Sequence, residues 1–184
     1  MAQLATGLFD PITTGWQKEE QTMNPPELIQ LAESIQLNSD HNFALRIEFG
    51  VACAERVAHL LTDQSVMETL MIGKAFVRGD RTESELLKTA KRAKQLASSH
   101  PGSGSLDGAG SAAVSSSYGV AAALAGNALV AAEYTAYASV YSYAGFAVTD
   151  LSAYKAEHDW QVNKLRELAT RNNTLKQTGD NEEQ

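Results

Sequence analysis

Residues 108–149 read GAGSAAVSSSYGVAAALAGNALVAAEYTAYASVYSYAGFAVT and hold one charged side chain, Glu133. The rest of the chain is rich in charge: 15 Lys+Arg and 22 Asp+Glu give a formal net charge of -7. The fold depends on what this uncharged block is. The part before Glu133, residues 108–132, is long enough to cross a bilayer, for which about 20 residues suffice. Its content argues otherwise. Alanine brings little more than one methyl group of apolar surface, about 0.8 kcal/mol, and Leu, Ile and Phe are scarce here. No Lys/Arg cluster flanks the block to anchor or orient it. Small residues do let helix backbones approach closely. The reading is therefore a pair of tightly packed, buried helices in a soluble bundle. A break near Gly126-Asn127 and an unbroken helix are both compatible with the pattern.

Outward from this block the periodicity is helical throughout, with no strand-type alternation. Asn24-Pro25-Pro26-Glu27 predicts a helix start, with Asn24 as cap and Pro25 at the first helical position, running to about Leu37. Asp40 can cap a second helix with an apolar stripe of Phe43, Ile47, Gly50, Ala54, Val57 and Leu61. Gly50 and Ala54 keep the middle of that stripe small. Asp63 can cap a third helix, with Val66, Leu70, Gly73 and Val77 on its inner face and Gly79 at its end. Thr82-Glu83-Ser84-Glu85 is a capping box that opens a fourth. Leu86, Ala90, Ala93, Leu96 and Ala97 face inward there, and Lys88, Lys91, Arg92 and Lys94 face solvent. Residues 98–108 form a flexible loop. Asp150 or Ser152 caps a last helix, with Leu151, Tyr154, His158, Val162, Leu165 and Ala169 inward.

The fold class is all-α, a bundle of about six or seven helices around a central Ala-rich pair. The expected organisation is an irregular N-terminal arm (1–23), one helical domain (24–171) and a disordered polar tail (172–184). The arm lacks the basic start of a secretory signal, and Asp10, Pro11 and Gly15 interrupt any apolar run. One cysteine, Cys53, allows no internal disulfide and no multi-cysteine zinc site. Together these features suit a cytoplasmic protein.

Chemistry-bearing patterns are sparse. The acidic balance argues against a nucleic-acid binder, which needs a basic stripe for phosphates. Glu55 and His59 share a helical face, but carboxylate-bridged metal bundles use Glu-x-x-His pairs on two helices, and here the spacing is one residue longer with no second copy. Cys53 lies among apolar residues and reads as a buried, inert thiol. Gly102-Ser103-Gly104-Ser105 has neither the preceding strand nor the Gly-Lys-Ser/Thr of a phosphate loop. No acid/base pair, nucleophile constellation or cofactor motif stands out, so neither an enzyme nor a cofactor is expected. Glu133 has two readings: buried and paired with Arg46 or Arg56, because an unpaired buried carboxylate is costly, or a surface cap of the second Ala-rich helix. Tyr134, Tyr137 and Tyr141, with Tyr118 and Tyr143 nearby, form either a core seam or a partner-binding face.

Two short elements carry a family likeness. Cys53-Ala54-Glu55-Arg56-Val57 is followed by a break at Asp63 and an amphipathic helix ending in Arg78-Gly79. A helix over 86–97 and an Ala-rich double-helix region over 112–147 come next. Glu157-His158-Asp159-Trp160-Gln161, with Leu165 behind it, completes the pattern. Over residues 43–168 the chain resembles an all-helical family of immunity proteins from bacterial polymorphic toxin systems, with Ser, Gly and Tyr where the family carries more His and Arg. The resemblance implies a non-enzymatic protein that binds and neutralises a partner, and a charge of -7 suits a basic toxin. The candidate partner-binding residues are Glu55, Arg56, Glu133, Tyr134, Tyr137, Tyr141 and Trp160. The alternative is a structural protein that self-associates through its Tyr/Ala-rich helices.

Overall fold

The computed structural model describes the backbone of residues 22–100 and 108–182 and the side chains of 22–100 and 112–173. Among these residues there are seven α-helices and no strand: α1 (Pro26–Ser34), α2 (Phe43–Arg56), α3 (Gln64–Val77), α4 (Glu83–Ser98), α5 (Gly108–Leu124), α6 (Ala128–Tyr143) and α7 (Lys155–Glu182). Short 3-10 turns flank α2 at Asp40–Asn42 and Ala58–Leu60, and two more, Gly145–Thr149 and Leu151–Tyr154, join α6 to α7. Among the described residues no helix is long and apolar enough to cross a membrane. Most of the expected arm falls on residues 1–21, and most of the glycine-rich loop on 101–107, outside the described residues.

The uncharged block is two helices. Gly126 turns the chain between them with a φ of +77°, a conformation that glycine reaches without the Cβ penalty. Gly126 N–H and Asn127 N–H close back onto the carbonyls of Ala123 and Ala122, which satisfies the last carbonyls of α5. Among the described residues α5 and α6 make the most extensive helix contact, and α2 lies against both. The apolar surface divides around this trio. One buried cluster joins Ile47, Val51 and Ala54 of α2 to Val66 and Leu70 of α3, Leu86, Ala90 and Ala93 of α4, and Val120–Leu124 of α5. The other joins Leu28 and Ala32 of α1 to Phe49 and Cys53 of α2, Ala128 and Ala132 of α6, and Leu165 and Leu168 of α7.

Close approach is what the small residues supply. A Cβ added at Gly50 would lie 2.9 Å from the Cα and 3.0 Å from the Cβ of Ala123. One added at Gly119 would lie 2.7 Å from Cγ2 of Thr135. The glycines of α2 and α5 thus set how near α2 comes to α5 and α5 to α6.

Helix ends with local signals form as the sequence predicts. The Asp63 side chain accepts from the Ser65 N–H at 2.7 Å. Thr82 and Glu85 close a reciprocal capping box. Other ends differ. Asn24 does not cap α1; its Nδ2 donates to the Leu129 carbonyl of α6 at 2.9 Å, Pro25 takes the cap position, and α1 stops at Ser34. Asp40 opens a 3-10 turn, with α2 beginning at Phe43. Asp150 caps the 3-10 turn before α7 through the Ser152 N–H. The tail expected to be disordered after Arg171 continues as α7 to Glu182.

Replacing Gly50 by valine forces α2 off α5 and lowers stability by about 2–3 kcal/mol, the cost of overpacking a tight core site. Urea unfolding followed by far-UV circular dichroism checks this: the midpoint falls, with the helical signal before the transition retained.

Candidate functional site

The elements Cys53-Ala54-Glu55-Arg56-Val57 and Glu157-His158-Asp159-Trp160-Gln161 meet in space. Arg56, the last residue of α2, and Glu157, in the first turn of α7, are 101 positions apart in sequence. Nε of Arg56 lies 3.0 Å from Oε1 and 2.9 Å from Oε2 of Glu157, so one N–H is shared by both carboxylate oxygens. The guanidinium carbon sits 4.3 Å from the centroid of the Trp160 ring, a cation–π stack. Trp160 follows Glu157 by three residues, so the two side chains rise from one helical face. The side chain of Glu157 is 5% exposed and that of Arg56 40% exposed. A sealed carboxylate therefore holds a solvent-facing arginine over an indole. Burial raises the pKa of Glu157, while the hydrogen bond and charge of Arg56 pull it back down.

A buried polar layer supports this surface. Gln161, fully buried, donates from Nε2 to the Ala132 carbonyl of α6 at 2.9 Å. The Thr135 hydroxyl donates to the same carbonyl at 3.0 Å. Cys53 lies beside Thr135, and burial, reinforced by the Glu157 charge, drives its thiol far above the ordinary range. A thiol held protonated is neither nucleophile nor metal ligand. Among the described residues no group of three His, Cys, Asp or Glu is placed to hold a metal ion.

The other sequence-predicted residues do not join this stack. Glu55 points the other way around α2 and pairs with Lys74 of α3 at 2.6 Å, rather than with His59. Glu133 takes neither role expected of it. Its Oε1 accepts the backbone N–H of Met23 at 3.2 Å, tying the start of the described chain to the middle of α6, while Asn127 holds the cap position. Arg46 is occupied elsewhere, donating to the carbonyls of Leu37 and Ser39. The tyrosines form two stacks: Tyr118 on Tyr134, 5.4 Å between centroids, and Tyr137 on Tyr141, 5.5 Å. Partial burial and the neighbouring ring raise the pKa of Tyr134 and of Tyr137, Glu133 adding to the shift at Tyr134. Tyr154, sealed beneath the α6–α7 connection, donates to the Val148 carbonyl, and burial pushes its pKa up to about 12.

Sequence reasoning named Arg56 and Trp160 but missed Glu157 and Gln161 as their supports. The signal was present: the spacing of Glu157, Trp160 and Gln161 places all three on one stripe of α7.

No family model, no curated protein and no solved structure matches this chain.

Two outcomes follow from this geometry. Arg56→Ala strands the Glu157 carboxylate in a sealed site and costs about 2–3 kcal/mol, below the full penalty for breaking a buried pair because Arg56 is half-exposed. Glu157→Gln costs less, and chemical denaturation of the two variants gives the order. Cys53 resists iodoacetamide in the folded protein and reacts once the chain is unfolded in guanidinium, which mass spectrometry reads directly.

Proposed function

We propose that this protein is a non-enzymatic binding protein whose surface around Arg56 and Trp160 engages and neutralises a partner protein. The Arg56–Trp160–Glu157 arrangement carries the reading. Arg, Trp and Tyr are the side chains that dominate binding energy at protein interfaces. Here the arginine is already ordered, so little side-chain entropy remains to be lost on association. The guanidinium edge not used by Glu157 keeps donors for a partner carboxylate or carbonyl. The stack also joins the two motifs through which the chain resembles immunity proteins. The net charge of -7 favours a basic partner, attracted over distances of about 8–10 Å at physiological salt. A cytoplasmic location and a toxin as partner belong to the same proposal.

The test is co-expression with the product of the adjacent gene. Co-purification and relief of its toxicity support the reading; absence of both overturns it. Within a complex, Arg56→Lys keeps the charge but loses the flat stack and fork, and weakens binding by about tenfold or more, on the scale of a single interface anchor. Trp160→Ala does the same, and calorimetric titration measures both.

A second reading is favoured by one observation. Tyr143 at the end of α6 and Phe146 and Leu151 in the α6–α7 connection are 65%, 88% and 74% exposed. An apolar projection of this kind suits self-association. Light scattering over a concentration series decides it: a mass that rises with concentration and falls back on Phe146→Ser supports self-association, and a constant monomer mass removes it.

A further inference from the structure

His158 is the one histidine among the described residues with a sealed, unpartnered ring nitrogen. Its Nε2 is buried and hydrogen-bonds nothing, and the ring stacks on Tyr154 at 5.5 Å between centroids. It sits where α1 meets α7. An open cleft of about 630 Å³ reaches this junction, lined by Pro25 and Glu27 at the start of α1 and by Leu151, Lys155, His158 and Val162 on the opposite side. α1 is a short helix, and α7 is the helix it contacts most. Leu28 and Ala32 cover Phe49, Leu165 and Leu168 within the second apolar cluster. Two more sealed acceptors without partners, Asn24 Oδ1 and Gln161 Oε1, belong to side chains anchored on α6. Their amide nitrogens donate to the Leu129 and Ala132 carbonyls, one turn apart on α6.

We propose that the α1–α7 junction is an acid-sensitive latch: protonation of His158 loosens α1 and uncovers the apolar face of α7 and α2 beneath it. A neutral imidazole can keep its buried Nε2 unpaired at moderate cost. An imidazolium in the same place leaves a charged donor without a partner, which costs far more. The charges facing the ring do not remove that cost. Glu27 of α1 and Asp159 of α7 both favour the cation, but burial outweighs them and holds the His158 pKa below its ordinary value of 6.5. Asp159 is engaged by Lys155 at 2.6 Å. Glu157, the preceding residue, is bound to Arg56, and Asp150 caps Ser152. Tyr154, stacked on the ring, contributes a neutral group. The sign follows from linkage. With α1 detached, His158 regains its ordinary pKa and binds a proton more readily than in the closed state. The closed state is thus fully favoured above about pH 6.5 and loses ground as pH falls below that value toward the lower pKa of the closed state.

The experiment is amide hydrogen exchange of the full chain, read residue by residue as protection factors between pH 7.5 and 5. Protection of the α1 amides falls as pH drops below about 6.5, by at most about tenfold per pH unit, the limit for uptake of one proton. The amides of α2 and α5 keep their protection. In His158→Gln, which stays neutral, the slope across α1 vanishes. An unchanged slope in that variant, or equal losses in α1 and α5, overturns the proposal. Should His158→Gln fail to fold, NMR titration of the wild-type imidazole decides: a pKa at or above 6.5 also overturns it.

Discussion

The distance between α2 and α5 is set by Gly50 against Ala123, and the rest of the molecule is arranged around that contact. Nothing larger than the Ala123 methyl stands between the two backbones there, and α2 packs on both α5 and α6. With α2 in that position, one of its faces packs on α3, α4 and α5 and the other on α1, α6 and α7. A larger residue at position 50 would separate the two apolar clusters, because interiors at near-crystalline density absorb little extra volume. Alanine suits this centre for a reason beyond helix propensity. It removes a modest area from water per residue, but it brings backbones near enough for dispersion to act over their whole length.

Polar chemistry is concentrated where α7 crosses this centre. Ala132, in the middle of α6, offers one carbonyl to both Gln161 and Thr135. One helical turn away on α7, Glu157 reaches the end of α2 and fixes Arg56 against Trp160. The same first turns of α7 hold His158 against α1. A surface arginine and a half-buried histidine thus share one scaffold, and the acid–base tendencies of Glu157 and His158 oppose each other. Burial raises the pKa of Glu157 and lowers that of His158. Glu157 therefore opposes acid unfolding in the range between its ordinary and raised pKa, while His158 promotes opening below its ordinary one. The two side chains face different elements, α2 and α1, so the effects fall on different parts of the bundle.

The helical architecture was legible because its signals are local. The capping box at Thr82 and Glu85 and the cap at Asp63 each need only neighbours within a few positions, and both form as their residues indicate. The end of α5 at Gly126-Asn127 was one of two possibilities in the sequence, and backbone hydrogen bonds at that turn decide it. Asn24 shows the limit. It has the residue type and the position of a helix cap, yet its amide goes to a carbonyl 105 positions away. Glu133 likewise offered an arginine partner or a helix cap, and instead receives a backbone N–H 110 positions distant. The regular spacing of Tyr134, Tyr137 and Tyr141 suggested one stripe, but Tyr134 turns to Tyr118 on α5, because the α5–α6 contact places a second ring within stacking reach.

What the sequence by itself determined is the helical class, the uncharged centre and the helix starts at Asp63 and Thr82. Periodicity and end-capping are properties of a few consecutive residues, and no tertiary contact at those ends reverses them. What only the tertiary structure decided is which polar groups meet. Arg56 and Glu157 become partners and Nε2 of His158 is left buried and unpaired because packing excludes water from places that no local pattern marks. Whether a polar side chain is solvated, paired or stranded depends on the helices that close over it, and that follows from the close approach of α2, α5 and α6.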